Sequence, residues 1–258
     1  MLNGFSKQQV ISLLSSHTLW GRKACKEILS RRDEFIPLLI DILDNAINDP
    51  EPYMYDEKDD HIPAALLLAQ MKASEAYPRL IKLISYDEET VELLWGDMLT
   101  NYYTRMLRDT FNGDSSLLPP IIEDRSICEW ARSMSVLAYG MHYFDGRINR
   151  EEITAFYRRL INKVYNKKPY KRDETVLSYV ANSVREQRLE ELKEDVKTAY
   201  ERGGIDEFIC EELEVYINDW DNPLFAAEDL HIDDAIKNLD YWNWFKGEEY
   251  SEDDEDND

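Results

Sequence analysis

The chain has 258 residues, of which 43% are hydrophobic and 32% are charged, a globular balance with enough apolar residues for a sizeable core. No segment approaches the roughly 20 consecutive apolar residues of a membrane-spanning helix, and residues 1–14 lack the apolar region of a secretory signal. The three cysteines are odd in number and widely spaced, which favours reduced thiols. These features exclude a membrane or disulfide-stapled protein and predict a soluble, cytoplasmic one.

The net charge of −23 is concentrated near the C-terminus, because residues 201–258 hold 21 acidic and three basic side chains. Such a field disfavours nucleic acids and anionic membranes as general partners. Residues 247–258 contain eight acidic residues, no basic residue and almost nothing apolar, so they are predicted to be a disordered acidic tail. Residues 1–246 are predicted to form a single helical-repeat domain.

Hydrophobic residues recur with a helical period along almost the whole chain, and no sustained strand pattern is present. The pattern predicts helices over residues 6–15, 18–32, 34–48, 61–71, 75–85, 88–111, 116–123, 126–143, 149–166, 173–187, 189–202, 206–219 and 233–245. The segment 88–111 carries one broad apolar stripe, and the segment 61–71 is apolar nearly all round. The second of these helices is therefore expected at the centre of the molecule.

An internal repeat is visible in three proline-centred segments. Pro37, Pro78 and Pro119 are 41 residues apart, and each is predicted to begin a helix that a second helix follows. Looser copies start near Ile153 and Leu189. Repeats of the HEAT and armadillo kind have periods of about 40–47 residues. The predicted fold is therefore all-α, an α-solenoid of stacked helical hairpins with irregular repeats, in which neighbouring hairpins share a core.

An aromatic cluster at residues 239–245 precedes the acidic tail. Terminal repeats need their open face closed, so we expect this cluster to cap the last hairpin. The alternative is an exposed binding patch.

Several segments resemble a known bacterial family. They include HIPAALLLA at 61–69, YPRLIKLI at 77–84 and GDMLT at 96–100, with further pieces in the same order at 120–124, 147–152 and 200–203. Together these motifs resemble the uncharacterised proteins of domain of unknown function 1186 over residues 30–240. The resemblance implies a HEAT-like helical fold and no established activity. Some members carry a cysteine-rich zinc motif at the C-terminus, but this chain has no cysteine after Cys210, so that module is not implied here.

No catalytic or metal motif stands out. His17, His61, His142 and His231 are scattered without metal-ligand spacing, and the chain has no CxxC, GxSxG or phosphate-binding glycine loop. We therefore predict no catalytic residue, no metal and no cofactor.

One segment is unusually basic and carries tyrosines between its basic residues. It consists of Arg158, Arg159, Lys163, Lys167, Lys168, Lys171 and Arg172. The pattern fits a solvated helix end, where positive charge complements the helix dipole. It also fits a docking site for the acidic tail, or a site for an external anion such as RNA or phosphate.

The sequence favours a non-enzymatic scaffold whose concave face, lined by the second helices of the hairpins, binds another protein or a peptide. The candidate binding residues are Tyr102, Tyr103, Arg105 and Arg132. Two alternatives remain open: a nucleic-acid-binding protein or enzyme that uses the basic segment, and an acidic mimic of nucleic acid.

Overall fold

The computed structural model describes residues 2, 4–55, 57–165, 171–222 and 230–245, without the side chains of residues 164, 165, 171 and 172. Within these residues the chain is helical and contains no strand. No described helix combines the length and hydropathy needed to cross a membrane. The predicted disordered tail, residues 247–258, lies outside the described residues.

The helices are α1 (Lys7–Ser12), α2 (Leu19–Ser30), α3 (Arg32–Asn48), α4 (Glu51–Met54), α5 (His61–Gln70), α6 (Tyr77–Leu83), α7 (Glu88–Trp95), α8 (Met98–Asp109), α9 (Leu118–Glu123), α10 (Glu129–Phe144), α11 (Arg150–Tyr165), α12 (Lys171–Glu186), α13 (Lys193–Glu201), α14 (Glu207–Cys210), α15 (Leu213–Asn218) and α16 (Ala235–Tyr241). Short 3-10 turns at Ser74–Ala76, Ser115–Leu117 and Glu190–Leu192 lead into α6, α9 and α13.

The helices pair into successive hairpins: α3 with α5, α6 with α8, α9 with α10, and α11 with α12. The second helices of these hairpins pack in the order α5, α8, α10 and α12, and α14 follows on α12. The order of these helix contacts confirms the predicted all-α, helical-repeat class, while the curvature of a solenoid stays a prediction. We call α5, α8, α10 and α12 the second-helix layer, and α3, α6, α9, α11 and α13 the first-helix layer.

The repeat prolines do not all begin helices. Pro78 and Pro119 stand in the first turn of α6 and α9, where the missing N–H costs no hydrogen bond. Pro37 instead lies inside α3, which begins at Arg32, so the prediction was wrong there. Acidic residues in the first turn of α3 favour that earlier start. The apolar residues two and three positions after each proline are buried in all three copies: Leu39, Ile40, Leu80, Ile81, Ile121 and Ile122.

Two predicted helices are broken. The segment 88–111 divides into α7 and α8 at Gly96, whose φ of +46° suits a residue without a Cβ. The segment 206–219 divides into α14 and α15 at Glu211, whose φ is +64°. The connection between α3 and α5 contains the short helix α4, whose Tyr53 is buried.

In the second-helix layer, α10 packs tightly against α12 at Gly140. A Cβ added at Gly140 would lie 2.4 Å from the Oγ of Ser183. The adjacent Tyr157 hydroxyl donates to the carbonyl of Val136 at 3.0 Å and contacts the Ser183 hydroxyl at 2.9 Å. The absence of a side chain at position 140 therefore lets the two longest helices of this layer touch.

The last described residues return to the N-terminal helices. The described residues 230–245, which we call the C-terminal arm, include α16, and this helix packs on α5 and α2. The aromatic cluster at 239–245 therefore covers the first hairpins, and the prediction that it caps the last hairpin was wrong. Spacing along the sequence cannot reveal a contact between residues more than 200 positions apart.

Candidate functional site

The surface that holds the C-terminal arm begins at the end of α8. The Oδ2 atom of Asp109 accepts a hydrogen bond from the backbone N–H of Ile232 at 2.6 Å, and its Oδ1 atom contacts Nδ1 of His231. The neighbouring Arg108 donates from Nη1 to the carbonyl oxygen of Leu230 at 3.3 Å. Two consecutive side chains of α8 thus bind backbone groups of residues 230 and 232 of the arm.

A buried ion pair fixes this end of α8. Arg108, whose side chain is 3% exposed, donates to the two carboxylate oxygens of Asp145 at 3.0 and 2.6 Å. Arg147 donates to the backbone carbonyl of Arg108 at 2.7 Å and contacts Asp145 at 3.3 Å. Burial opposes ionisation of Asp145, but the hydrogen bond from Arg108 and the charges of both arginines hold its pKa below the usual range.

His142 lies behind this ion pair as a neutral, structural side chain. Its Nε2 atom contacts the hydroxyl of Tyr77 at 3.0 Å, and its Nδ1 atom lies 3.4 Å from Arg147. Burial, together with the charge of Arg147, lowers the pKa of His142 to about 3. A histidine that stays neutral at physiological pH and packs at 4.2 Å between ring centroids on Phe111 is suited to fixing α10, not to proton transfer.

The middle of the arm is bound by α5 and α2. The backbone N–H of Ala235 donates to Oε1 of Gln70, the last residue of α5, at 3.0 Å. Arg22 of α2 forms a salt bridge with Asp240 at 2.7 Å. Burial raises the pKa of Asp240 even though Arg22 favours its charged form. Each of these contacts joins the arm to a helix near the beginning of the chain.

The end of the arm is aromatic. The indole N–H of Trp242 donates to the hydroxyl of Tyr102 on α8 at 3.2 Å. His17, just before α2, contacts the carbonyl oxygen of Trp244 at 2.9 Å through Nδ1 and the carboxylate of Asp59 through Nε2. The rings of His17 and Trp244 pack 4.7 Å apart. The arm therefore contacts α8, α5 and α2 in turn, and we call this surface the arm seat.

The arm helix α16 is amphipathic. The side chain of Asp234 caps it by accepting the N–H of Lys237 at 2.9 Å. Ala235, Ile236 and Leu239 are buried, while Lys237 and Tyr241 face solvent. One face of α16 is thus apolar and buried, as in a peptide that binds in a groove.

Tyr102 and Arg105, predicted as binding residues, lie next to each other on α8. The guanidinium of Arg105 stands 5.7 Å from the ring centroid of Tyr102, which itself contacts the arm. Tyr103 points the other way: its side chain is fully buried and its hydroxyl donates to the carbonyl of Leu80 at 2.8 Å. Burial raises the pKa of Tyr103 far above its ordinary value.

Arg132, the fourth predicted binding residue, is buried between α10 and its neighbours. It donates from Nε to the carbonyl of Ile122 at 3.0 Å, and its Nη2 atom lies 3.3 Å from Asp173 on α12. The structure therefore brings Tyr102 and Arg105 together at the arm seat and places Tyr103 and Arg132 in the packing between helices. A binding role for these four residues stays a prediction.

The described part of the basic segment is joined to carboxylates of the first-helix layer. Arg158 pairs with Asp195 at 3.2 Å, while Arg159 and Lys163 both lie 2.8 Å from Glu123. These contacts link α11 to α13 and to α9. An anion-binding role for the segment stays a prediction, and four of its members lie outside the residues or side chains described: Lys167, Lys168, Lys171 and Arg172.

The cysteines are buried, and burial raises the pKa of Cys25 to about 12 and that of Cys210 to about 11. A thiol of such pKa is a poor nucleophile at neutral pH. Among the described residues, no three histidine, cysteine or acidic side chains lie close enough together to hold a metal ion.

The polar residues that bind the arm were not found from the sequence. Gln70, Asp109 and Arg22 stand at the ends or edges of their helices, where polar residues are ordinary. The one feature that these three residues share is a polar side chain next to apolar residues of the same helix. That feature occurs throughout this chain, so it could not distinguish residues that bind the arm from residues that face solvent.

Comparisons with known proteins give a family and no activity. An uncharacterised protein of Chlamydia muridarum (strain MoPn / Nigg) is 26% identical over 230 residues, covering 86% of this chain and 90% of the relative. An uncharacterised protein of Chlamydia trachomatis serovar D is 26% identical over 234 residues, covering 86% and 89%. No solved structure matches the chain significantly. A family model described as "Protein of unknown function (DUF1186)" matches residues 8–246, and the chain belongs to that family.

Proposed function

We propose that this protein is a non-enzymatic helical-repeat scaffold whose second-helix layer, together with α2, binds a protein or peptide partner. The observation that carries this proposal is the arm seat, on which a 16-residue segment lies with its backbone and side chains bound. A surface that holds a segment of its own chain in this way has the features of a peptide-binding surface.

The contacts on the seat have the division of roles found at peptide interfaces. Backbone N–H groups of Ile232 and Ala235 are bound by side-chain oxygens of Asp109 and Gln70, which gives binding that depends little on the ligand's sequence. The apolar face of α16 and the indole of Trp242 supply the part that discriminates between sequences.

The basic segment offers less support for nucleic acid. Its described members Arg158, Arg159 and Lys163 already neutralise carboxylates of the same chain. An external polyanion would have to compete with those carboxylates, in a molecule of net charge −23.

Site-specific photo-crosslinking in the native cell tests the proposal. A photoreactive residue replaces Arg105, which lies beside Tyr102 at the seat, and a matched variant carries it at Asp41, an exposed position of α3 in the first-helix layer. We expect discrete protein adducts at position 105 and none at position 41. Adducts that nuclease removes, equal adducts at both positions, or none at 105 would contradict the proposal.

A further inference from the structure

We infer that the partner is an acidic, amphipathic helical segment with the chemistry of the C-terminal arm, and that it binds the arm seat by displacing the arm. This inference rests on the proposed function and names the class of partner. It follows from three properties of the contact: the apolar spacing of α16, the charges on each side, and the covalent link between arm and seat.

The apolar spacing defines the first requirement. Ile236 and Leu239 are three residues apart and buried, and Trp242 follows after three more, with its indole N–H on Tyr102. This i, i+3, i+6 series lies on one face of a helix, the arrangement by which a single helix fills a groove. A partner helix needs two aliphatic residues and an aromatic residue with the same spacing.

Charge defines the second requirement. The segment Leu19–Ser30, which is α2, contains three basic residues and one acidic residue. Arg22 of this segment binds Asp240 directly, and Lys26 also acts on Asp240 through its charge. The arm carries three aspartates against one lysine. Complementary charge across a contact favours the right partner over wrong ones, so the partner helix should be acidic at the position of Asp240.

The covalent link between arm and seat determines how strongly the arm competes with a free peptide for the seat. A tethered segment experiences an effective concentration on the order of millimolar at its own site. A free peptide of the same sequence, at micromolar concentration, must therefore bind the wild-type chain far more weakly than a chain whose arm no longer fits. We therefore expect tight binding of the free peptide only when the tethered arm no longer fits the seat.

The test uses the full chain and a labelled probe. The variant Ile236→Asp/Leu239→Asp places two charges on the buried face of α16, while the matched control Lys237→Ser/Asn238→Ser changes the same helix away from that face. The probe is a synthetic fluorescein-labelled peptide of residues 230–245, and fluorescence anisotropy measures its dissociation constant. We expect at least tenfold tighter binding to the double-aspartate variant than to wild type or control.

A charge exchange tests the recognition itself. Adding Arg22→Glu to the double-aspartate variant should weaken binding of the peptide at least tenfold, and a peptide with Asp240→Lys should recover most of that loss. Circular dichroism and cooperative urea unfolding confirm that each variant is folded. A folded double-aspartate variant that does not bind the probe, equal binding by wild type, or no recovery by the exchanged pair would overturn the inference.

The outcomes also separate this inference from the proposed function. Adducts at position 105 without probe binding would leave the scaffold intact and refute an arm-like partner, whereas loss of both would refute both. Light scattering on the wild type tests whether the seat binds the arm of a second copy instead. Dimers that the double-aspartate substitution abolishes would show this, and they would also overturn the inference.

Discussion

The first-helix layer and the second-helix layer hold neighbouring hairpins together by different means. In the first layer, exposed or half-exposed ion pairs join one helix to the next, as Asp44 of α3 joins Arg79 of α6 and Glu123 of α9 joins Arg159 of α11. In the second layer the joining groups are buried, as in the pair of Arg132 with Asp173, whose side chains are 4% and 7% exposed.

The difference in burial between these ion pairs indicates which layer contributes more to the stability of the fold. Exposed pairs are solvated whether or not they meet, so they contribute little and mainly set which helices lie side by side. A buried charge has lost its water and depends on its partners within the protein, so the loss of the opposite charge leaves a costly, incompletely compensated charge behind. The two layers should therefore respond to equivalent substitutions by very different amounts.

The largest expected effect is at the buried pair. Asp173→Ala removes the carboxylate that faces Arg132 and that the exposed Arg125 also binds. The Arg132 guanidinium then stays buried without its counter-charge, so we expect a loss of about 3–5 kcal/mol in the free energy of unfolding. Urea unfolding followed by circular dichroism measures it. The exposed Asp41→Ala serves as the control. A loss no larger than that of the control would remove the distinction between the layers.

A smaller effect concerns pH and again belongs to the second-helix layer. His142 has a pKa of about 3 in the fold, against about 6.5 in an unfolded chain, so the unfolded state takes up a proton first as the pH falls. Stability is therefore complete above pH 6.5 and decreases as the pH falls from 6.5 toward 3. The loss attributable to His142 should reach about 2 kcal/mol at pH 5.

Urea unfolding at pH 7.5 and pH 5.0 checks this expectation with the variant His142→Gln, which keeps a group able to bond the Tyr77 hydroxyl. The variant should lose less stability than wild type between the two pH values. An unchanged difference would show that other groups cause the acid sensitivity.

The smallest effect is expected in the first-helix layer. Asp44→Ala breaks the pair with Arg79, whose side chains are 40% and 30% exposed, and should cost about 0.2–1 kcal/mol. A double-mutant cycle with Arg79→Ala, measured at low and high salt, isolates the pair. The coupling should shrink as salt rises because an exposed pair is screened. A coupling energy as large as that of the buried pair would erase the comparison.

Local pattern predicted most of the helices, because burial of one helix face leaves a period of 3.6 residues in the sequence. The 41-residue spacing of the prolines predicted the hairpin repeat. The break at Gly96 was missed because the apolar stripe continues across it.

The arm seat could not be predicted from the sequence pattern, because the arm and the helices that bind it are far apart in the chain. Tyr102 was named as a residue of the concave face expected from the second helices, whereas its contact with Trp242 depends on the return of the chain by 140 residues. The carboxylates that meet the basic segment, such as Glu123 and Asp195, were likewise invisible, because residues 36 or 37 positions apart become neighbours only when hairpins stack.

The contact of His17 with Trp244 joins residues that are 227 positions apart in the chain. It links the C-terminal arm to the N-terminal helices. In an open row, each unit touches only its neighbours, and the two ends fray independently. Here the N-terminal helices cannot open without first releasing the arm, so slow amide hydrogen exchange in α2 should be governed by residues at the opposite end of the chain.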